Sequence, residues 1–253
     1  ITCTMLGNKN DFGASALSEY AKIVLAETEA TLSAPERLNV TTSVEGKAVV
    51  YENGVYKVAP AVASITANEV TRYYATLQAA VNAAQANETV TLLSDATGAG
   101  VVIDKNVTID FAGYTYTFNE GVGSTGTETN GLQILNGNTV VLKNGTLNVA
   151  ESAKANFYIL VQNYANLTVD GMKLDGTNLD KYSGTDGDSY ALSNNSGTVE
   201  IKGATEIIAN DQGDKAFAFD VCKYANYAVP VVNVTGAEVK VNVRSEEKEK
   251  IGT

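Results

Sequence analysis

Acidic side chains and tyrosines concentrate in one stretch, Asp175-Gly-Thr-Asn-Leu-Asp-Lys-Tyr-Ser-Gly-Thr-Asp-Gly-Asp-Ser-Tyr190. Carboxylates at this density suit two chemistries. Two of them held about 5–10 Å apart would do acid–base work on a glycosidic bond. Asp186 and Asp188, joined by Asp180 or by loop carbonyls, would instead share a calcium ion. Tyr182 and Tyr190 add flat faces for stacking against a sugar ring. Asp180, Tyr182, Asp186, Asp188 and Tyr190 are therefore the candidate ligand-binding residues, with Asp186 and Asp188 as calcium candidates and no catalytic residue assigned. A second acidic segment, Asn210-Asp-Gln-Gly-Asp214, is followed by Asp220.

Composition removes several chemistries. The 253 residues include no histidine, so the commonest general base and metal ligand is missing. Cys3 and Cys222 are one distant pair, too few for a disulfide framework, and read as two unpaired small apolar residues. A net charge of −11 repels phosphates and anionic lipids, which argues against nucleic acid and against membrane surfaces. No run approaches the roughly 18 apolar residues of a membrane span. The first ten residues lack the basic start and apolar run of a secretion signal. Gly121-Val-Gly-Ser-Thr-Gly126 satisfies G-x-G-x-x-G, but the turn-like Thr-Glu-Thr-Asn-Gly that follows is not the helix a dinucleotide site needs. It reads as a loop between strands.

The elements that must position the acidic loops show a repeat. Strand-and-turn units recur at Val107-Thr-Ile-Asp, Val141-Leu-Lys-Asn-Gly, Leu167-Thr-Val-Asp-Gly, Val199-Glu-Ile-Lys-Gly and Val232-Asn-Val-Thr-Gly. The second apolar residue of each marks the period: Ile109, Leu142, Val169, Ile201, Val234. These markers are 33, 27, 32 and 33 positions apart. Such periods mean solenoids, propellers or arrays. Units this short hold two or three alternating strands and no helix, so a parallel β-helix is favoured, with apolar columns inside and Thr, Asn, Asp and Lys outside. Ahead of the repeat, Leu77, Ala80, Val81 and Ala84 form the apolar stripe of an alanine-rich helix over about 74–86, suited to close the open edge of the first coil.

Residues 1–66 read as a small α+β module and 67–253 as the β-helix. A helix is expected over 15–31, from Leu17, Ala21, Val24, Leu25 and Thr28. A hairpin is expected at Asn53-Gly54, whose residues tolerate positive φ. Long loops are expected at 111–131 and 175–197. Seven Asn-x-Ser/Thr triplets, at Asn39, Asn87, Asn106, Asn144, Asn166, Asn194 and Asn233, read as coil turns in which asparagine accepts left-handed φ, ahead of glycosylation.

Tyr74-x-Thr-Leu-Gln-x-Ala-Val-x-x-Ala, Thr89-Val-Thr-Leu-Leu-x-Asp and Val107-Thr-Ile-Asp-x-x-Gly-Tyr-Thr together resemble the opening of right-handed parallel β-helix domains of the pectin lyase-like type. The resemblance covers about residues 72–243 and implies that fold. The superfamily spans lyases, hydrolases, adhesins and tailspikes. Its hydrolases use a Gly-His-Gly segment, which cannot exist here. Its lyases use an arginine base, yet Arg37, Arg72 and Arg244 all lie outside residues 100–243. The resemblance therefore implies a non-enzymatic module, located extracellularly at a cell surface or on a virion. As an adhesin-like spacer or binding surface its partners would be a surface glycan or a protein receptor, without a cofactor other than calcium. The alternatives are a phage tail or head appendage, homotrimeric and docked through residues 1–66, and a divergent polysaccharide lyase or hydrolase.

Overall fold

The computed structural model describes residues 22–36, 38–179, 188–210, 216–236 and 239–242. The chain is mainly β, a β-solenoid of about four turns. The described residues begin with β1 (Lys22–Leu25), β2 (Thr31–Ser33), β3 (Asn39–Thr42), β4 (Lys47–Glu52) and β5 (Val55–Pro60). β1 pairs in parallel with β3, and β2, β5 and β4 form an antiparallel sheet. The β4–β5 turn uses Asn53 and Gly54 at φ 49° and 81°, the left-handed pair that the sequence demands.

The helix expected over 15–31 is corrected where the chain is described, because Lys22–Leu25 is a strand. Ile23 and Val24 are β-branched and favour extended backbone. Leu25 then packs with Leu32 and Tyr56 in a small separate core, and Val24 is exposed to solvent. Among the described residues, 22–67 contain no helix.

A hairpin, β6 (Ala63–Ala67) and β7 (Val70–Tyr74), leads into the solenoid, and β6 runs antiparallel to β8 (Thr89–Leu92). Between them lies helix α1 (Leu77–Ala83). The Thr76 hydroxyl accepts the Ala79 N–H at 3.1 Å as its N-cap, and Leu77, Ala80 and Val81 are buried. The first coil continues with β9 (Ala96–Ala99) and β10 (Val101–Ile103). Gln78 of α1 acts on the edge of β10. Its amide accepts from Val102 N at 2.8 Å and donates to Val102 O at 3.1 Å, supplying both bonds a neighbouring strand would make. Gln78→Ala is expected to lower the unfolding free energy by about 1–2 kcal/mol in urea denaturation. Gln78→Glu, which loses the donor and faces a carbonyl, should cost more; equal stability of all three proteins would refute this role.

The next coils are β11 (Val107–Asp110), β12 (Thr115–Glu120), β13 (Val122–Ser124) and β14 (Thr127–Ile134); then β15 (Thr139–Val149) and β16 (Ile159–Asn163); then β17 (Asn166–Asp175) and β18 (Ser189–Asn194). β19 (Thr198–Lys202), β20 (Glu206–Ile208) and β21 (Ala216–Val221) follow, with β22 (Val231–Thr235) and β23 (Lys240–Asn242) last among the described residues. Three parallel faces result. The first stacks β8, β11, β15, β17, β19 and β22. The second stacks β9, β12, the far halves of β15 and β17, β20 and β23. The third stacks β10, β14, β16, β18 and β21.

The repeat markers are register partners. Ile109 faces Leu142, Leu142 faces Val169, Val169 faces Ile201, and Ile201 faces Val234, with Val90 as a further partner below Ile109. From Val90 to Ile201 this column is fully buried, because period-2 alternation turns each marker inward. The loop expected at 111–131 is corrected: it is mostly β12 and a β13–β14 hairpin. The Thr-Tyr-Thr-Phe alternation sends Tyr116 and Phe118 into the core. The G-x-G-x-x-G segment forms the turn of that hairpin, with strand after Gly126.

One outward column is charged and alternates in sign. Asp110, Lys143, Asp170 and Lys202 occupy successive rungs, with Lys143–Asp110 at 3.1 Å and Lys202–Asp170 at 3.6 Å. Burial pushes the Asp110 carboxyl up, but the Ala112 N–H, Lys143 and Asn144 outweigh it and hold it below its ordinary range. Asp175 is likewise raised by burial and held lower by Lys173, at 2.8 Å, and by Thr177. A depressed folded-state pKa contributes stability above the unfolded value near 4 and loses it as pH falls through the folded value. Stability is therefore expected to hold from neutral pH to about 4 and to fall below that. Asp110→Asn should flatten the acid limb of a stability–pH profile, and an unchanged limb would contradict the assignment.

Candidate functional site

Of the five candidate residues, Asp180, Tyr182 and Asp186 lie outside the described residues, as do Asp211 and Asp214. The structure brings Asp188 and Tyr190 together. β18 carries Tyr190 on the third face, in register with Ile159 below and Phe217 above. Its hydroxyl donates to Asp188 Oδ2 at 2.9 Å. Its ring stacks on Phe217, with centroids 5.6 Å apart and planes 19° apart. Burial, the Asp188 bond and the charge of Asp220 all push the Tyr190 phenol far above its ordinary value. A neighbouring polar track runs along the same face. Gln133 and Asn130 each donate to Gln162 Oε1 at 3.0 Å, and Ser193 donates to Asp220 Oδ2 at 3.4 Å.

The described carboxylates around Tyr190 hold protein donors: Asp188 the phenol and Asp220 the Ser193 hydroxyl; on the second face Asp175 holds Lys173 and Thr177. Tyr190 is a phenol kept protonated. Among the described residues no group of three or more Cys, Asp or Glu is placed to hold a metal ion. Of the two calcium candidates, Asp188 has a phenol as its partner. A cavity of about 130 Å³ lies at the opposite end, between α1 and the first coil, lined by Val62, Thr76, Gln78, Gly98, Ala99 and Tyr116. Its ionisable group is Tyr116, pushed up to about 12 by burial and donating to Ala99 O at 2.9 Å.

A second cluster is invisible to sequence reasoning. Leu135, Tyr164, Asn195 and Cys222 occupy one corner on successive rungs, their N–H groups donating to Ile103, Ile134, Asn163 and Asn194 carbonyls one rung back. Tyr164 meets Tyr224 and Tyr227 there, with ring centroids 5.3 and 5.9 Å away and planes at 70° and 85°. Tyr224 and Tyr227 are 5.6 Å apart. Tyr224 is 51% exposed and Tyr227 37%. The local signal is the i, i+3 pair in Lys223-Tyr-Ala-Asn-Tyr227, which gains meaning only once Tyr164 is known to share its corner.

Beneath this corner Asn163 and Asn194 stack inside the coil. Asn163 Nδ2 donates to Asn194 Oδ1 at 2.9 Å and to Ala165 O at 2.7 Å, and Asn163 Oδ1 accepts Ala165 N. Val221 occupies the next rung, which leaves Asn194 Nδ2 buried without a partner. The Asn-x-Ser/Thr residues divide by role. Asn87 and Asn144 take left-handed φ of 68° and 58°. Asn106 and Asn166 bridge rungs, accepting from Thr139 N and Thr198 N.

No helix among the described residues is long and apolar enough to cross a membrane. Neither a family model, nor a curated protein, nor a solved structure matches the chain, so fold and site geometry carry the functional reading.

Proposed function

We propose that this chain is a non-catalytic β-solenoid module displayed outside the cell, a stiff spacer that carries a recognition surface along one flank in the manner of a bacterial adhesin. The observation that supports this reading is the unbroken register from Val90 to Val234, one ladder of backbone bonds whose apolar column is buried from Val90 to Ile201, with an ion-paired column outside. Parallel stacking at about 4.8 Å per rung leaves few unpaired backbone groups along the shaft. Proteases need locally open chain, and such a shaft resists opening. The resemblance of Tyr74–Ala84 and Val107–Thr115 to pectin lyase-like surface proteins supports the same reading.

Antibodies raised against the chain are expected to label intact cells of the organism that makes it. Labelling that requires permeabilised cells would reject display.

A further inference from the structure

We infer that Tyr164, Tyr224 and Tyr227 form a contact site for an uncharged sugar ring of a glycan. Three observations carry this. The first is that the loop is built and held. Cys222 N donates to Asn194 O, Tyr224 N to Asn195 O and Val231 N to Gly197 O, each at 2.9 Å, while Tyr227 N closes a turn on Tyr224 O at 3.0 Å. Ser196 Oγ donates to Ala228 O at 3.3 Å. The rings therefore stand on the solenoid corner with little freedom left to lose on binding.

The second is strain. Ala225, between the two tyrosines, adopts φ 46°, a left-handed conformation that non-glycine residues rarely take. The loop keeps it in the turn that presents both rings, and strained backbone of this kind clusters at binding sites.

The third is the chemistry offered. Two of the rings are substantially exposed, and among the described residues no hydrogen bond engages the three hydroxyls. Exposed Leu135 shares the corner, and exposed Val229 follows Tyr227 by two positions. Flat apolar faces beside free hydroxyls match the C–H face and hydroxyl rim of a pyranose. A cationic ligand fits less well. The rings meet edge to face or tilted at 5.3–5.9 Å, so no gap between them admits an ammonium group, and Lys223 adjoins the cluster. Anionic ligands are repelled by the net charge of −11.

The site goes beyond the spacer role and fails separately from it, since display is read on cells and binding on purified chain. The test uses the full chain against an array of neutral oligosaccharides: short oligomers of glucose, mannose, galactose and N-acetylglucosamine in α and β linkages. The strongest binder is then titrated by calorimetry. The expected result is saturable binding that changes little with salt, because neither partner's contact is ionic. Tyr224→Ala/Tyr227→Ala should weaken it at least about tenfold. Tyr224→Phe/Tyr227→Phe, which keeps the rings, should lose less, and Tyr114→Ala, at the exposed turn between β11 and β12, should bind as the parent does. Unchanged far-UV circular dichroism shows that each variant is folded. Absence of binding to every neutral oligosaccharide would overturn the inference. So would equal binding by the double alanine variant, or binding only to peptides or to quaternary ammonium compounds.

Discussion

Phe118→Ala is expected to lower the unfolding free energy by about 3–5 kcal/mol, near the upper end for a single core truncation. Phe118 is fully buried on β12. Its ring meets Tyr116 edge-on at 5.1 Å and Phe157 at 6.5 Å, tying the second coil to the turn that leads into β16. It also lies against Gly131, where a Cβ would come within 2.7 Å of the ring. A cavity walled by backbone on one side collapses poorly, so the cavity cost adds to the lost transfer energy. Urea denaturation should show a lower midpoint at unchanged slope. A loss below about 1 kcal/mol would mean that the solenoid interior is not packed around this ring.

Gly197→Ala is expected to be comparably damaging although it adds only a methyl group. Gly197 has φ +73°, and a Cβ there would sit 2.4 Å from Ala165 O and 2.7 Å from Ala165 C, backbone of the preceding rung. Nothing flexible can give way, so the rungs must separate where Asn163 and Asn194 stack. Gly113 supplies the control. It has φ +89°, and a methyl group added there would meet no heavy atom within 4 Å. Gly113→Ala should therefore cost only the left-handed strain, about 1–2 kcal/mol. Gly197→Ala should exceed that by at least about 2 kcal/mol, the penalty of overpacking. Equal losses for the two variants would show that rung spacing at this corner is loose.

The axial repeat is readable because burial imposes it. Ile109, Leu142, Val169 and Ile201 are buried and must be apolar, and each is the register partner of the next; Val234 continues the register but is exposed. The first rung escapes that count, since Val90 precedes Ile109 by only 19 positions in a coil of short strands and tight turns. Lys22–Leu25 misleads because adjacent apolar residues fit helical and extended periods equally well over so short a run. Thr115–Phe118 alternates as a strand must, but the glycines after it suggest a loop where the chain instead folds into a hairpin.

The candidate site is less legible. Asp188 and Tyr190 are found by chemistry, two positions apart, and they bond to each other. Nothing local announces Phe217 as the ring on which Tyr190 stacks, because that pairing depends on register between β18 and β21. Tyr164 and Tyr224 are sixty positions apart and share a corner only because nearly two coils intervene. Outward residues are free of the core's demand for apolarity, so their columns carry no pattern until the rungs are aligned.

Turnover tests the non-catalytic account most directly. The chain is incubated with a panel of neutral and acidic polysaccharides, and product size, reducing ends and unsaturated termini are followed by chromatography and mass spectrometry. The predicted result is that every polymer keeps its length, since Asp188 and Asp220, the described carboxylates at the Tyr190 face, are held by Tyr190 and Ser193. Shortening of any polymer by the parent chain, abolished by Asp188→Asn with the fold intact, would contradict it and make this face an active site.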